Sequence, residues 1–244
     1  MVPVLRGIPH GLFTLFFPDN CRVCERTLAG WTRIPVCYEC LHSPVPLETD
    51  YFCRNCHTPF ANGFALDDFG VCAACKSGLR VFDSASSYGF YEGTLRSLIH
   101  LFKYSKMRPL ASTLSTYLEF AVPHDEMFDA VVPVPLHWRK RWSRGFNQAE
   151  LLARPIAKRR RIPVLRALRR KRSTEVQATL AVAGRRRNVQ GAFEARLNVA
   201  GKRILLVDDV MTTGATASAC AMALKRAGAK SVSLVTVARV DRRQ

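Results

Sequence analysis

No window of the 244 residues approaches the roughly 18 uninterrupted apolar positions that a membrane-spanning helix needs, so no membrane insertion is expected. Proline and glycine, 13 and 14 residues, are too scarce for a collagenous or disordered chain. Acidic residues are few: 19 against 37 lysines and arginines leave a formal charge of +18, which excludes a chain built to repel anions. The apolar opening Gly11 to Phe17 is short, lacks a small-residue cleavage site and runs straight into Cys21, so it is not expected to be a signal peptide. With 48% hydrophobic residues the chain should bury a core. Its length suits one domain of roughly 150 residues plus a small stapled module.

Cysteine is plentiful by contrast. Eight of the nine fall in four C-x-x-C pairs: Cys21/Cys24, Cys37/Cys40, Cys53/Cys56 and Cys72/Cys75. Two thiols separated by two residues suit chelation of one metal ion better than a disulfide, which places the chain in a reducing cytoplasm. The intervals of 12 residues within the first two pairs and 15 within the last two match four-cysteine zinc ribbons. We therefore expect two structural zinc ions, one on Cys21, Cys24, Cys37 and Cys40, the other on Cys53, Cys56, Cys72 and Cys75. An interleaved cross-brace is the alternative pairing, and His57, beside Cys56, is a competing ligand. A redox role would need a thioredoxin-like βαβ context, which the sequence lacks. Four thiolates leave no open position for catalysis by the metal. Cys220 stands alone on an apolar helical stretch and reads as a core residue.

Residues 1–79 are punctuated by Cys, Pro and Gly without a sustained helical period, as expected of turns and short hairpins around metals. From residue 80 to 244 the texture is that of a larger domain. Ser84 to Phe90 reads as a strand, Gly93 to Tyr104 as an amphipathic helix, Phe128 to Val134 as a strand and Asn147 to Lys158 as a helix. Arg203 to Val207 is a further strand, Ala215 to Ala227 a helix ended by Gly228, and Ser231 to Ala238 the next strand. Strand-helix-strand repetition predicts an α/β fold with a parallel sheet flanked by helices.

The most informative stretch runs Ile204-Leu-Leu-Val-Asp208-Asp209-Val-Met-Thr212-Thr213-Gly214-Ala215-Thr216. After a buried strand come two acids and then a hydroxyl- and glycine-rich loop that opens a helix. Backbone N–H groups, the Thr212, Thr213 and Thr216 hydroxyls and the positive end of the helix dipole can converge on one phosphate. Gly214 lets the backbone come close, and two adjacent carboxylates suit the vicinal hydroxyls of a ribose. Together they predict a cradle for a ribose 5-phosphate.

This segment resembles the signature of type I phosphoribosyltransferases that binds 5-phosphoribosyl pyrophosphate (PRPP), in which a hydrophobic run is followed by Asp-Asp and Thr-Gly-x-Thr. Upstream, Val131-Val-Pro-Val-Pro135-Leu136-His137-Trp138 resembles the first strand and pyrophosphate loop of these enzymes, notably amidophosphoribosyltransferases, with bulky residues where small ones are usual. By that resemblance Pro135, Leu136 and His137 face pyrophosphate. The cysteine pairs, Lys103-Tyr104, the block Arg144-Gly-Phe-Asn-Gln148, Gln177 and Arg185-Arg-Arg-Asn188 are together similar to the ComF family, including its GntX-like group. That resemblance implies a double zinc ribbon ahead of a type I phosphoribosyltransferase-like domain, and a link to natural competence or use of external DNA.

Basic residues concentrate between Arg139 and Arg187, where seventeen lysines and arginines face two acids, Glu150 and Glu175. Such a cluster can track a nucleic-acid backbone, with Trp138, Trp142 and Phe146 to stack bases, or can serve pyrophosphate and solvent. Arg144 is the leading candidate for a phosphoribosyl phosphate. The expected function is PRPP binding. An enzyme of this kind would use Asp208 and Asp209 as its catalytic acids, with Mg²⁺ joining PRPP, toward an unspecified acceptor. The alternative is a non-catalytic single-stranded DNA-binding protein serving a DNA-uptake machinery, and a third reading makes the PRPP site a sensor.

Overall fold

A computed structural model describes residues 20–28, 30, 32–78, 80–137, 142–171 and 191–240. In chain order the elements are α1 (Tyr38–His42), α2 (Ala73–Lys76), β1 (Ser84–Phe90), α3 (Gly93–Tyr104), α4 (Leu110–Ala121), β2 (Ala130–Pro133), α5 (Gln148–Arg160), β3 (Leu168–Arg170), β4 (Phe193–Ala195), β5 (Arg203–Met211), α6 (Ala215–Arg226) and β6 (Ser231–Arg239). Strands β1, β6, β5 and β2 form one sheet in that order, every pair parallel. A second, antiparallel pair joins β3 to β4. The expected α/β architecture is thus observed, and the chain adds α4 and the β3/β4 pair to the expected elements.

Side chains alternate across a strand, so each sheet face builds its own core. Leu205 and Val207 of β5 pack with Val235 and Val237 of β6 under α3, α4 and α5. Ile204 and Leu206 pack with Val232 and Leu234 under α6 and against Leu168 and Phe193 of the small pair. Cys220, fully buried on α6, belongs to this second core, as expected.

The cysteine segments are part of these cores. Cys21 and Cys40 pack into the first, whereas Cys53, Cys56 and Cys72 pack into the second, so the two thiol groups flank opposite faces of one sheet. Between them the chain runs along the outer edge of β1. The Leu47 N–H donates to the Tyr88 carbonyl at 2.6 Å, the Tyr88 hydroxyl to the Pro44 carbonyl at 2.8 Å, and the Ala85 N–H to the Asn55 carbonyl at 2.9 Å. An edge strand that would otherwise present unpaired backbone groups is thereby covered.

Candidate functional site

Strand β5 lies inside the sheet and ends in the loop that opens α6. It does not stop before the acids: Asp208 pairs in register with Thr236, and Met211 with Arg239. Gly214 then adopts a left-handed conformation, φ +78°, which a side-chain-bearing residue takes only with strain. The Ala215 N–H donates to Thr213 Oγ1 at 3.2 Å, and the Ser218 N–H to the Gly214 carbonyl at 2.8 Å. Thr213 is therefore used in capping the turn. Remaining N–H groups of the first helical turn have no intrahelical carbonyl to meet and are available to an anion.

This loop forms a solvent-open recess lined by Asp208, Thr212, Gly214, Ala215 and Thr216, with Leu234 and Thr236 of β6 beside them. Four of the five residues predicted for the phosphate loop meet here, all but Thr213, and of the two predicted acids Asp208 joins them. Asp209 does not. Consecutive strand residues point to opposite faces, so Asp208 turns toward the recess and Asp209 toward α3, where its Oδ1 meets Lys103 Nζ at 3.0 Å with both groups largely buried. The picture of two carboxylates side by side is thus corrected by the length of β5.

Burial first, and then the neighbouring Asp209 charge, push the Asp208 carboxyl up to about 7, against partial relief from Lys103 and Arg170. Burial works to lower the Lys103 ammonium, but the Asp209 carboxylate overrides it and the pKa rises. In the sequence Lys103 stands out only within a family pattern. Its position one turn after the core residue Ile99, at the margin of the apolar stripe of α3, is the sequence signal for an inward-pointing charge. Arg170, on β3, lies over the Phe193 ring at 5.4 Å, and its charge acts on Asp208.

The loop after β2 starts beside this site, since the Val134 N–H donates to the Val207 carbonyl at 2.9 Å. His137 is buried, and Pro135 and Leu136 are half-buried. Asn147 ties this loop to α5: its Nδ2 donates to the Val134 carbonyl at 3.1 Å while its Oδ1 accepts the Ala149 N–H at 3.2 Å. Phe146 packs on Phe102 at 5.5 Å, and the Arg144 guanidinium lies 5.3 Å over the Tyr104 ring. Thus Phe102, Lys103 and Tyr104, at the end of α3, meet Phe146, Asp209 and Arg144 respectively. The recess itself is not lined by Pro135, Leu136, His137 or Arg144.

Much of the basic segment is paired. Glu150 meets Arg154 at 2.7 Å and also Arg166, Glu119 meets Arg160 at 2.8 Å, and Glu194 meets Lys171 at 2.5 Å. Trp138, Arg139 to Arg141, Gln177 and Arg185 to Asn188 lie outside the described residues. Trp142 is 88% exposed.

Each thiol group repeats one local design. Glu25 and His57, directly after Cys24 and Cys56, both take positive φ, 64° and 47°, closing tight turns in which their N–H groups donate to the Cys21 and Cys53 carbonyls. Cys37 and Cys72 precede the short helices α1 and α2, and their N–H groups donate to Cys21 Sγ and Cys53 Sγ at 3.3 Å. Cys21, Cys24, Cys37 and Cys40 lie together, and so do Cys53, Cys56, Cys72 and Cys75, each set within 4.8 Å. This is the sequential arrangement, and His57 is in neither set. A zinc–sulfur bond of about 2.3 Å requires tetrahedral sulfurs roughly 3.8 Å apart. The Cys24–Cys37, Cys53–Cys75 and Cys56–Cys72 separations of 3.7, 3.8 and 3.7 Å meet that requirement, so both groups fit zinc. There the ion would supply a structural cross-link.

The phosphoribosyl transferase domain family matches residues 143–244. The chain is 32% identical to the DNA utilization protein YhgH of Escherichia coli (strain K12) over 229 residues, 90% of this chain and 96% of that protein. It is 31% identical to competence protein F of Haemophilus influenzae over 178 residues, 69% of this chain and 78% of that one. Among solved structures it is similar to the glutamine phosphoribosylpyrophosphate amidotransferase of B. subtilis, at 23% identity and a TM-score of 0.37, over 52% of this chain and 26% of that chain.

Proposed function

The chain belongs to the ComF family of competence and DNA utilization proteins with a phosphoribosyltransferase domain, and from that premise we propose that it binds PRPP at the β5–α6 loop. The single observation that carries this reading is the recess that Asp208 lines together with Thr212, Gly214, Ala215 and Thr216. In the proposed complex the first turn of α6 and the Thr212 and Thr216 hydroxyls hold the 5-phosphate. Asp208 takes the ribose hydroxyls. Asp209, pinned by Lys103, adds negative charge beneath them. Mg²⁺ would be held by Asp208 together with PRPP oxygens, offsetting pyrophosphate charge. Pro135 to His137 and Arg144 are assigned to the pyrophosphate side, on the grounds that this loop leaves β2 next to Asp208.

In the same reading residues 1–79 form the zinc-bearing unit, residues 80–244 the phosphoribosyl unit, and the protein works in the cytoplasm in the use of external DNA. A second reading has its own observation: Trp142, almost fully exposed two residues before Arg144, offers a stacking face for single-stranded DNA. Calorimetric titration of the zinc-loaded chain with PRPP and Mg²⁺ tests the first. Binding should be lost in Asp208→Asn/Asp209→Asn. A folded wild type that ignores PRPP but binds an oligonucleotide, with affinity falling steeply in salt and on Trp142→Ala, would replace the first reading by the second.

A further inference from the structure

The segment linking the second thiol centre to β1 passes directly beneath the phosphate loop. Within it, Arg80 has its guanidinium at the thiols: Nη1 donates to Cys56 Sγ, to Thr58 Oγ1 at 2.8 Å and to Cys72 Sγ at 3.6 Å. The other end of the same guanidinium faces the loop. A methyl group placed on Gly214 would lie 3.7 Å from Arg80 Nε and 3.6 Å from Phe82 Cε1. Between these two residues the Val81 N–H meets Ser218 Oγ, in the first turn of α6, at 3.4 Å. Asp83 then accepts the Val232 N–H at 2.7 Å and Lys225 Nζ at 2.6 Å. Residues 80–83 are thus a strap fixed to the thiols at one end and to α6 and β6 at the other. Arg80 Nε is buried and has no hydrogen-bond partner among the described residues.

We infer that Arg80 is a positioning residue that couples the second thiol centre to the phosphate loop, so that metal at Cys53, Cys56, Cys72 and Cys75 and phosphoribosyl ligand at Gly214 to Thr216 strengthen each other. The inference rests on the phosphoribose reading above. Thiolates that share their charge with a metal ion neutralise less of the guanidinium, and the remaining positive charge lies beside the loop that receives a dianion. Thiols no longer clamped together by a metal would hold the head of Arg80 less firmly and so loosen the floor under Gly214. Linkage makes the effect reciprocal: whatever the metal does for the ligand, the ligand does for the metal.

The test uses the full-length chain loaded with ¹¹³Cd in both thiol centres. Two cadmium resonances are expected, and saturation with PRPP and Mg²⁺ should shift one of them, the one displaced by Arg80→Lys. In Arg80→Met carrying two metals per chain, PRPP affinity should fall about tenfold, within the usual range of coupling between sites, and the ligand-induced shift should vanish. Arg80→Lys should recover part of the affinity. A wild type that binds PRPP with both resonances unmoved would overturn the coupling while leaving the phosphoribose reading intact, and so would an Arg80→Met that binds as tightly as wild type. If Arg80→Met does not fold or take up metal, the wild-type resonances alone decide. A wild type that binds neither PRPP nor ribose 5-phosphate sinks both proposals.

Discussion

At the scale of single residues, the contrast between Lys103–Asp209 and the surface pairs decides where charge matters. Lys103→Met would leave the buried Asp209 carboxylate without its partner, and breaking a buried pair in this way costs roughly 3–5 kcal/mol. Lys76→Ala removes the partner of Asp67 at an exposed position and should change stability by less than about 1 kcal/mol. Urea unfolding of the two variants checks the difference. Asp208 gives a pH signature of opposite sign to that of an ordinary salt-bridged carboxylate. Its folded value, about 7, lies above the 3.8 of a free carboxyl, so the folded chain holds this proton more tightly than the unfolded one. The stability this contributes is complete at low pH and is lost as pH rises through about 7. Relative to Asp208→Asn, wild type should lose urea stability between about pH 4 and pH 7 and level off above that, and a flat difference would contradict the raised value. Burial sets this value first, and the charged groups that then adjust it are Asp209, Lys103 and Arg170.

At the scale of elements, the β5–α6 turn depends on backbone shape. Gly214→Ala meets no close atoms, yet φ +78° should cost about 1–2 kcal/mol and weaken PRPP binding, readable by thermal unfolding and calorimetry together. This turn was legible in the sequence because an aliphatic run, two acids and Thr-Gly-x-Thr occur in order. Less legible was how far β5 runs. Asp is a poor strand former, so Asp208 and Asp209 read as the strand's end; pairing with β6 through Met211↔Arg239 overrides that preference and turns the two acids apart. Helix α4 escaped for a related reason. Ser112, Thr113, Ser115 and Thr116 are weak helix formers that dilute its pattern, while the buried stripe of Leu110, Leu114, Tyr117 and Leu118 that makes it a helix is visible once its spacing is followed. No sequence pattern marked the short β3/β4 pair, whose three-residue strands carry too little periodicity to be recognised.

At the scale of the whole molecule, the cysteine pairs announced two metal sites, but their spacing said nothing about where the sites would dock. One packs into each face of the sheet, and the intervening chain covers β1. Withdrawing metal should therefore loosen both cores together. Chelation is expected to lower the melting temperature of the sheet by roughly 10 °C or more in a single transition; a melted thiol region above an unchanged sheet transition would refute this. The docking also has a temporal side. Arg239, near the end of β6, donates to the Cys56 and His57 carbonyls at 3.0 and 2.5 Å and to Thr58 Oγ1 at 2.6 Å, the first of these contacts spanning 183 residues. A ribosome adding about 5–20 residues per second needs roughly 10–40 s to cover that interval. For that time the second set of thiols is outside and its anchor is not yet made, so a nascent chain that captures metal early is protected from oxidation until its last strand arrives.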